Sequence, residues 1–168
     1  RPHQDVAITE TLKRLKKNDR GQLIMACGTG KTFTAIRLAE KFAEQNGGHA
    51  RVLFMVPSLA LMSQSISEFS NEIEGPFHAY AVCSDSKVGR EKKRGGAYAD
   101  LADLRVEDLQ LPATTDGAAL ANAMNANPLD EGLEVVFSTY HSIDAVSAAQ
   151  AAGVGEFDLI ICDEAHRT

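Results

Sequence analysis

The sequence predicts an α/β fold built on a largely parallel sheet with helices on both faces. Three observations carry that prediction. Short apolar runs alternate with segments whose apolar residues recur at helical spacing, the pattern of strands joined by crossover helices. A glycine-rich turn, Gly28-Thr29-Gly30, separates the first apolar run from a helix-period segment. The last run, Phe157-Asp158-Leu159-Ile160-Ile161-Cys162, ends on an acidic pair, Asp163-Glu164.

Taken in order, Ile8, Leu12 and Leu15 share a helical face, and the basic run from Lys13 to Arg20 closes that helix. Leu23-Ile24-Met25-Ala26 reads as the first strand. Beyond the turn, Ala35, Leu38, Ala39 and Phe42 fall at helical spacing until Gly47-Gly48 stops the helix. Arg51 to Val56 forms a second strand ended by Pro57, and Leu59, Met62, Ile66 and Phe69 line the next helix. Phe77 to Cys83 is the third strand. The segment 84–115 is the least regular and reads as a basic loop or insertion. Lys87, Arg90, Lys92, Lys93 and Arg94 precede Gly95-Gly96 there, and a short amphipathic helix runs from Ala97 to Leu104. Thr114-Thr115-Asp116 offers an N-cap to a helix carrying Leu120, Ala123 and Met124. Leu133 to Ser138 is a fourth strand, Ser142 to Ala152 a helix, and Phe157 to Cys162 a fifth strand.

A chain of 168 residues fits a single domain, since domains average ~150 residues. With 44% apolar and 24% charged residues it can build a core. Seventeen basic residues against 23 acidic ones leave a net charge of −6. That excludes nucleic-acid binding by bulk positive charge, so any such contact is local. No apolar run approaches the ~18 residues needed to cross a bilayer, and no secretory segment opens the chain. Cys27, Cys83 and Cys162 are too few and too scattered for a disulfide framework or a zinc site, which points to a reducing, cytoplasmic setting. His3, His49, His78 and His141 show no metal-ligand spacing. The abrupt opening, Arg1-Pro2-His3-Gln4, looks like the start of an excised piece of a longer polypeptide.

The chemistry concentrates in two segments. Met25-Ala26-Cys27-Gly28-Thr29-Gly30-Lys31-Thr32, between a strand and a helix, has the context of a phosphate loop. Backbone N–H groups must curl around a phosphate, and glycines at 28 and 30 permit that path. The helix that starts at Lys31 points its positive end at the same place. Lys31 can span two phosphates as a mobile charge, and the Thr32 hydroxyl suits magnesium. Met25 stands where the generic pattern has its first glycine, at the end of the strand. The nucleotide-contacting set is then Cys27, Gly28, Thr29, Gly30, Lys31, Thr32 and Phe33, although Cys27 also fits as a small filler. Asp163, at the end of a parallel strand, would emerge beside this loop to hold magnesium, and Glu164 would orient the attacking water. His166 joins the γ-phosphate network, couples the site to a partner lobe, or is a surface residue. The expected cofactors are ATP and Mg2+.

The order of these motifs resembles a superfamily 2 helicase. It runs from Arg1-Pro2-His3-Gln4 through Gly28-Thr29-Gly30-Lys31-Thr32, Val56-Pro57-Ser58 to Gln64, and Ser138-Thr139-Tyr140-His141-Ser142 to Asp163-Glu164-Ala165-His166. More narrowly it is similar to the motor domains of type I and type III restriction enzymes, above all the single-polypeptide type I form. That resemblance implies a RecA-like P-loop NTPase lobe over residues 1–168, the first lobe of a DNA translocase. It makes Lys31, Asp163, Glu164 and His166 catalytic and gives Gln4 the adenine edge. Pro57, Ser58, Ser63 and Gln64, with Ser138 and Thr139, become contacts to a nucleic-acid backbone. Ser58 also fits simply as a helix cap. The implied partners are duplex DNA, a second RecA-like lobe of the same full-length chain, and nuclease and methyltransferase domains. The resemblance also implies that the strand filling the space between Leu23–Ala26 and Phe157–Cys162 is missing, leaving a gap, a neighbouring molecule in its place, or disorder at the C-terminus. Two other classes stay open on the residues alone: a small-molecule or nucleotide kinase, and a non-catalytic nucleotide- or DNA-binding module.

Overall fold

A computed structural model describes residues 2–26, 28–83 and 113–165. The segment that carries the basic loop and the helix from Ala97 to Leu104 lies outside these residues, as do Arg1, Cys27 and His166.

Helix α1 spans Pro2–Leu15, with proline in the first turn, where its missing N–H costs nothing. Helix α2, Lys31–Gln45, begins directly after the glycine turn. Strand β1, His49–Val56, leads into α3, Leu59–Glu72, and then into β2, Phe77–Val82. After a two-residue β3, Ala113–Thr114, come α4, Gly117–Ala126, and β4, Gly132–Thr139. A tight turn at Tyr140–Ser142 leads into α5, Ile143–Ala149, and a widened turn at Gln150–Val154 precedes β5, Leu159–Cys162.

The five described strands form one parallel sheet in the order β3-β2-β4-β1-β5. Strand β1 sits between β4 and β5 and is buried from Val52 to Val56, which explains its unbroken apolar run. On one face Phe54, Val52 and Phe137 pack beneath Ile36 of α2 and Met62, Ile66 and Phe69 of α3. The rings of Phe54, Phe69 and Phe137 meet there at 5.1 to 5.8 Å between centroids, within the range of favourable aromatic pairs. On the other face Leu53, Met55 and Val136 pack against Leu120, Ala121 and Met124 of α4 and Val146 of α5. Helix α1 lies outside the sheet, with Ile8 and Leu12 against Leu38. The predicted layering holds: a parallel sheet covered by helices on both faces, a RecA-like architecture.

Three element predictions need correction. Leu23–Ala26 is not a strand: Leu23 is 42% exposed and Ile24 83% exposed, and no described strand pairs with the segment. A strand exists only by pairing, so an apolar run without a neighbour stays irregular. It does not pair with Phe157–Cys162, in line with the expected gap, and β5 is left as an edge strand with Ile160 55% exposed. In α4 the buried alanine is Ala121, not Ala123, which faces solvent. The helix expected from Ser142 to Ala152 is divided between the tight turn, α5 and the widened turn, in which Gly153 takes a φ of 105°.

Candidate active site

The glycine turn has the backbone a phosphate loop needs. Gly28 and Gly30 take φ of 74° and 81°, left-handed values that leave the loop's amides free to converge. The Thr29 hydroxyl donates to the Ala26 carbonyl at 2.7 Å and closes the base of the turn. Gly30 caps α2 with its backbone alone; its carbonyl accepts from the Thr34 amide and hydroxyl, both at 2.9 Å.

Gln4 belongs to this loop. Its side chain is buried, and Nε2 donates to the carbonyls of Thr29 at 3.1 Å and Gly30 at 3.4 Å. A Cβ at position 30 would stand 2.6 Å from that nitrogen. Glycine is favoured there by its φ, and a side chain would push the Gln4 amide off the loop.

The acidic segment arrives from the far end of the chain. The Asp163 amide donates to the Met55 carbonyl at 2.9 Å, so the turn leaves the sheet at the carboxyl end of β1. The Asp163 carboxylate accepts from the Glu164 amide at 3.0 Å. Glu164 has a φ of 50°, uncommon for a residue other than glycine, and that turn carries its carboxylate back over the loop. Lys31 Nζ donates to Glu164 Oε1 at 2.6 Å, closing a contact across 133 residues of sequence.

Electrostatics single out Asp163. Its carboxyl is held above the usual carboxylate range, first by burial and then by the neighbouring Glu164 and Glu68 charges. The Glu164 amide and the Lys31 ammonium pull the other way without reversing the shift. A partly desolvated carboxylate among like charges favours a cation. Thr32 is half-buried on the first turn of α2.

Phe33 is half-buried on the first turn of α2, with the Arg37 guanidinium 5.0 Å from its ring centre. Glu40 at 2.7 Å and Glu74 at 3.0 Å hold Arg37 in place.

The residues expected to meet a nucleic-acid backbone leave the sheet together. Val56 and Thr139 are register partners, so the segments beginning at Pro57 and at Tyr140 emerge side by side. The Ser58 hydroxyl caps α3 by accepting from the Leu61 amide at 3.3 Å. Ser63 is half-buried, and Gln64 is exposed with its amide on Glu68 at 2.7 Å. Ser138 and Thr139 are buried with hydroxyls turned inward, Ser138 onto the Thr139 carbonyl at 3.0 Å and Thr139 onto Ser142 at 2.9 Å. Next to them Tyr140 donates its hydroxyl to the Asp163 carbonyl at 2.8 Å, a contact that sequence reasoning passed over. Its one signal was position, inside the Ser138–Ser142 motif.

A parallel sheet whose carboxyl edge brings a glycine turn and an acidic turn together is an arrangement that helicase-type motors share with other phosphate-loop proteins. The chain belongs to the type III restriction enzyme res subunit family, which matches residues 1–168. It is similar to two solved enzymes. One is a nuclease-deletion mutant of the Type ISP restriction-modification enzyme LlaGI in complex with a DNA substrate mimic. There the identity is 36% and the TM-score 0.78, over 99% of this chain and 15% of that one. The other is the ATP-dependent Type ISP restriction-modification enzyme LlaBIII bound to DNA, 36% identical with a TM-score of 0.83, over 99% of this chain and 10% of that one. A putative ATP-dependent RNA helicase, L396, of Acanthamoeba polyphaga mimivirus is 35% identical over 71 residues, 42% of this chain and 12% of that protein. The chain therefore spans a small part of each relative's length. Among the described residues no helix is long and apolar enough to cross a membrane.

Proposed function

We propose that this chain is the ATP-binding first lobe of a motor that hydrolyses ATP to move along DNA within a restriction–modification enzyme. The observation that carries the reading is the 2.6 Å pairing of Lys31 with Glu164, which brings the phosphate loop and the acidic turn to one point. Loop amides from Gly28 to Lys31 and the α2 N-terminus cradle the phosphates of ATP. Lys31 exchanges Glu164 for phosphate oxygens, and the freed Glu164 orients the attacking water. Thr32 and Asp163 hold magnesium, which supplies charge neutralisation at the phosphates when bound. Gln4 links the base to the loop, since an adenine drawing on its carboxamide competes with the Thr29 and Gly30 carbonyls. Phe33 buttresses the start of α2 beside the nucleotide. His166 joins the γ-phosphate network, and Cys27 keeps the small-filler reading that its own chemistry gives it.

DNA runs across the carboxyl edge of the sheet. Pro57, Ser58, Ser63 and Gln64 supply one contact at the start of α3, through helix N-terminal amides and small hydroxyls. At the turn after β4, where the Ser138 and Thr139 hydroxyls are engaged internally, contact falls to the backbone and the exposed His141. The similarity to one Type ISP enzyme bound to DNA and to another in complex with a DNA substrate mimic supports DNA as the track. The proposal extends to a second lobe, flanking nuclease and methyltransferase domains and a cytoplasmic setting.

The direct test is nucleotide affinity, by titration with a fluorescent ATP analogue and magnesium. Removing a charged donor to phosphate costs about 1.5–3 kcal/mol, so Lys31→Ala should weaken binding roughly ten- to a hundredfold. Equal affinity in wild type and Lys31→Ala would place the nucleotide elsewhere.

A further inference from the structure

Strands β4 and β5 both flank β1, so their carboxyl ends stand two strand spacings apart, roughly 9.6 Å. Tyr140 crosses that space. Its ring packs with the α4–α5 core face, and its hydroxyl reaches the Asp163 carbonyl at 2.8 Å. The acceptor is the backbone of the acidic turn, directly before the left-handed Glu164 that holds Lys31. On its other side Tyr140 opens the tight turn that begins at Thr139, a turn pinned by the Thr139–Ser142 hydroxyl contact and presenting His141 to solvent. Burial, with Cys162 alongside, pushes the Tyr140 hydroxyl well above the ordinary phenol range, so it stays a donor at any working pH.

We propose that Tyr140 is a positioning residue that couples nucleic acid at the turn after β4 to the Asp163–Glu164 turn, and so to hydrolysis. The inference rests on the ATP-driven, DNA-tracking reading given above. The coupled element has two arrangements: Glu164 paired with Lys31, and Glu164 released toward the water it orients. A contact at Tyr140–Ser142 that shifts the ring moves the Asp163 carbonyl, and with it the backbone that aims Glu164. DNA that favours the released arrangement thereby raises the hydrolysis rate, the condition any allosteric coupling must meet.

The test compares ATP hydrolysis with and without duplex DNA in the full-length protein, for wild type and Tyr140→Phe. The substitution removes one hydroxyl and keeps the ring. The deciding quantity is the ratio of the DNA-stimulated to the basal rate within one preparation, from which any loss of folded protein cancels. Coupling energies of the usual size predict that this ratio falls roughly fivefold or more. An unchanged ratio overturns the proposal, because a merely structural tyrosine lowers both rates together. A Tyr140→Phe protein inactive with and without DNA also overturns it, since the hydroxyl would then serve the site itself. A wild type that hydrolyses ATP without responding to DNA sinks the DNA-tracking reading and this inference with it. A responsive wild type beside an unaltered Tyr140→Phe sinks the inference alone.

Discussion

Lys31 and Glu164 are paired, and a 2.6 Å charge-assisted contact must be exchanged for phosphate when Lys31 meets ATP. Removing that competitor has a sign: Glu164→Gln should bind ATP more tightly than wild type, by up to roughly tenfold, in a nucleotide titration, while its hydrolysis is lost. Looser binding would mean that Glu164 helps to hold nucleotide and does not compete for Lys31. Asp163 gives a second test through pH. Its folded-state value lies above the ordinary carboxylate value of 3.8, chiefly because it is desolvated. The folded protein therefore holds this proton more tightly than the unfolded chain does. The stability linked to it is present below pH 3.8 and is lost as pH rises through the raised value. In magnesium-free buffer at neutral pH, Asp163→Asn should melt above wild type, and the gap should close as pH falls toward 3.8. A wild type that stays the more stable at neutral pH would contradict this. Lys31, Asp163 and Glu164 were legible because loop and acidic motifs are local patterns. Tyr140 was not, because its contact with Asp163 arises only when β4 and β5 flank the same strand.

Strand β4 carries the costliest residue in the sheet, Glu134, 1% exposed in the middle of a core. Arg51, its register partner on β1, donates Nε to it at 2.6 Å and a terminal nitrogen to the Val154 carbonyl. The Arg51 amide also donates to the Asp158 carboxylate at 2.8 Å, which ties the start of β5 to β1. Glu134 Oε1 has no partner among the described residues, so this carboxylate depends on Arg51. Arg51→Met should therefore cost about 3 kcal/mol in urea unfolding, and the double variant with Glu134→Leu should recover most of it. A single variant that costs nothing would show the pair to be idle. Strands β1 and β4 and helix α3 were legible in the sequence because their apolar runs and 3.6-residue spacing are strong local patterns and the partners they need are present. Leu23–Ala26 shares that apolar composition yet forms no strand, since pairing is decided outside the segment. The alanine-rich α4 defeated face assignment between Ala121 and Ala123 because equal side chains carry no periodic contrast. The two-residue β3 has too few residues to show a period at all.

At the scale of the molecule, the described residues that meet at the Lys31–Glu164 contact and at the ends of β1 and β4 lie at the carboxyl edge of one parallel sheet, where open α/β folds place their ligands. The net charge of −6 fits a local track and not a broad basic face. A lobe of this kind supplies the loop, the lysine and the acids. In related phosphoryl-transfer systems an arginine from a partner is worth roughly 10³–10⁵ in rate. The isolated 168 residues should accordingly bind ATP weakly and hydrolyse little of it, with or without DNA. Brisk DNA-stimulated turnover by this chain alone would show that no partner arginine is needed. The central claim is that Lys31 and the Asp163–Glu164 turn form one ATP site that DNA drives. It is tested most directly by steady-state ATP hydrolysis in the full-length protein, with and without duplex DNA, for wild type and Lys31→Ala. DNA-stimulated hydrolysis in wild type that falls to background in Lys31→Ala is the predicted result; stimulated hydrolysis that survives the substitution would contradict it.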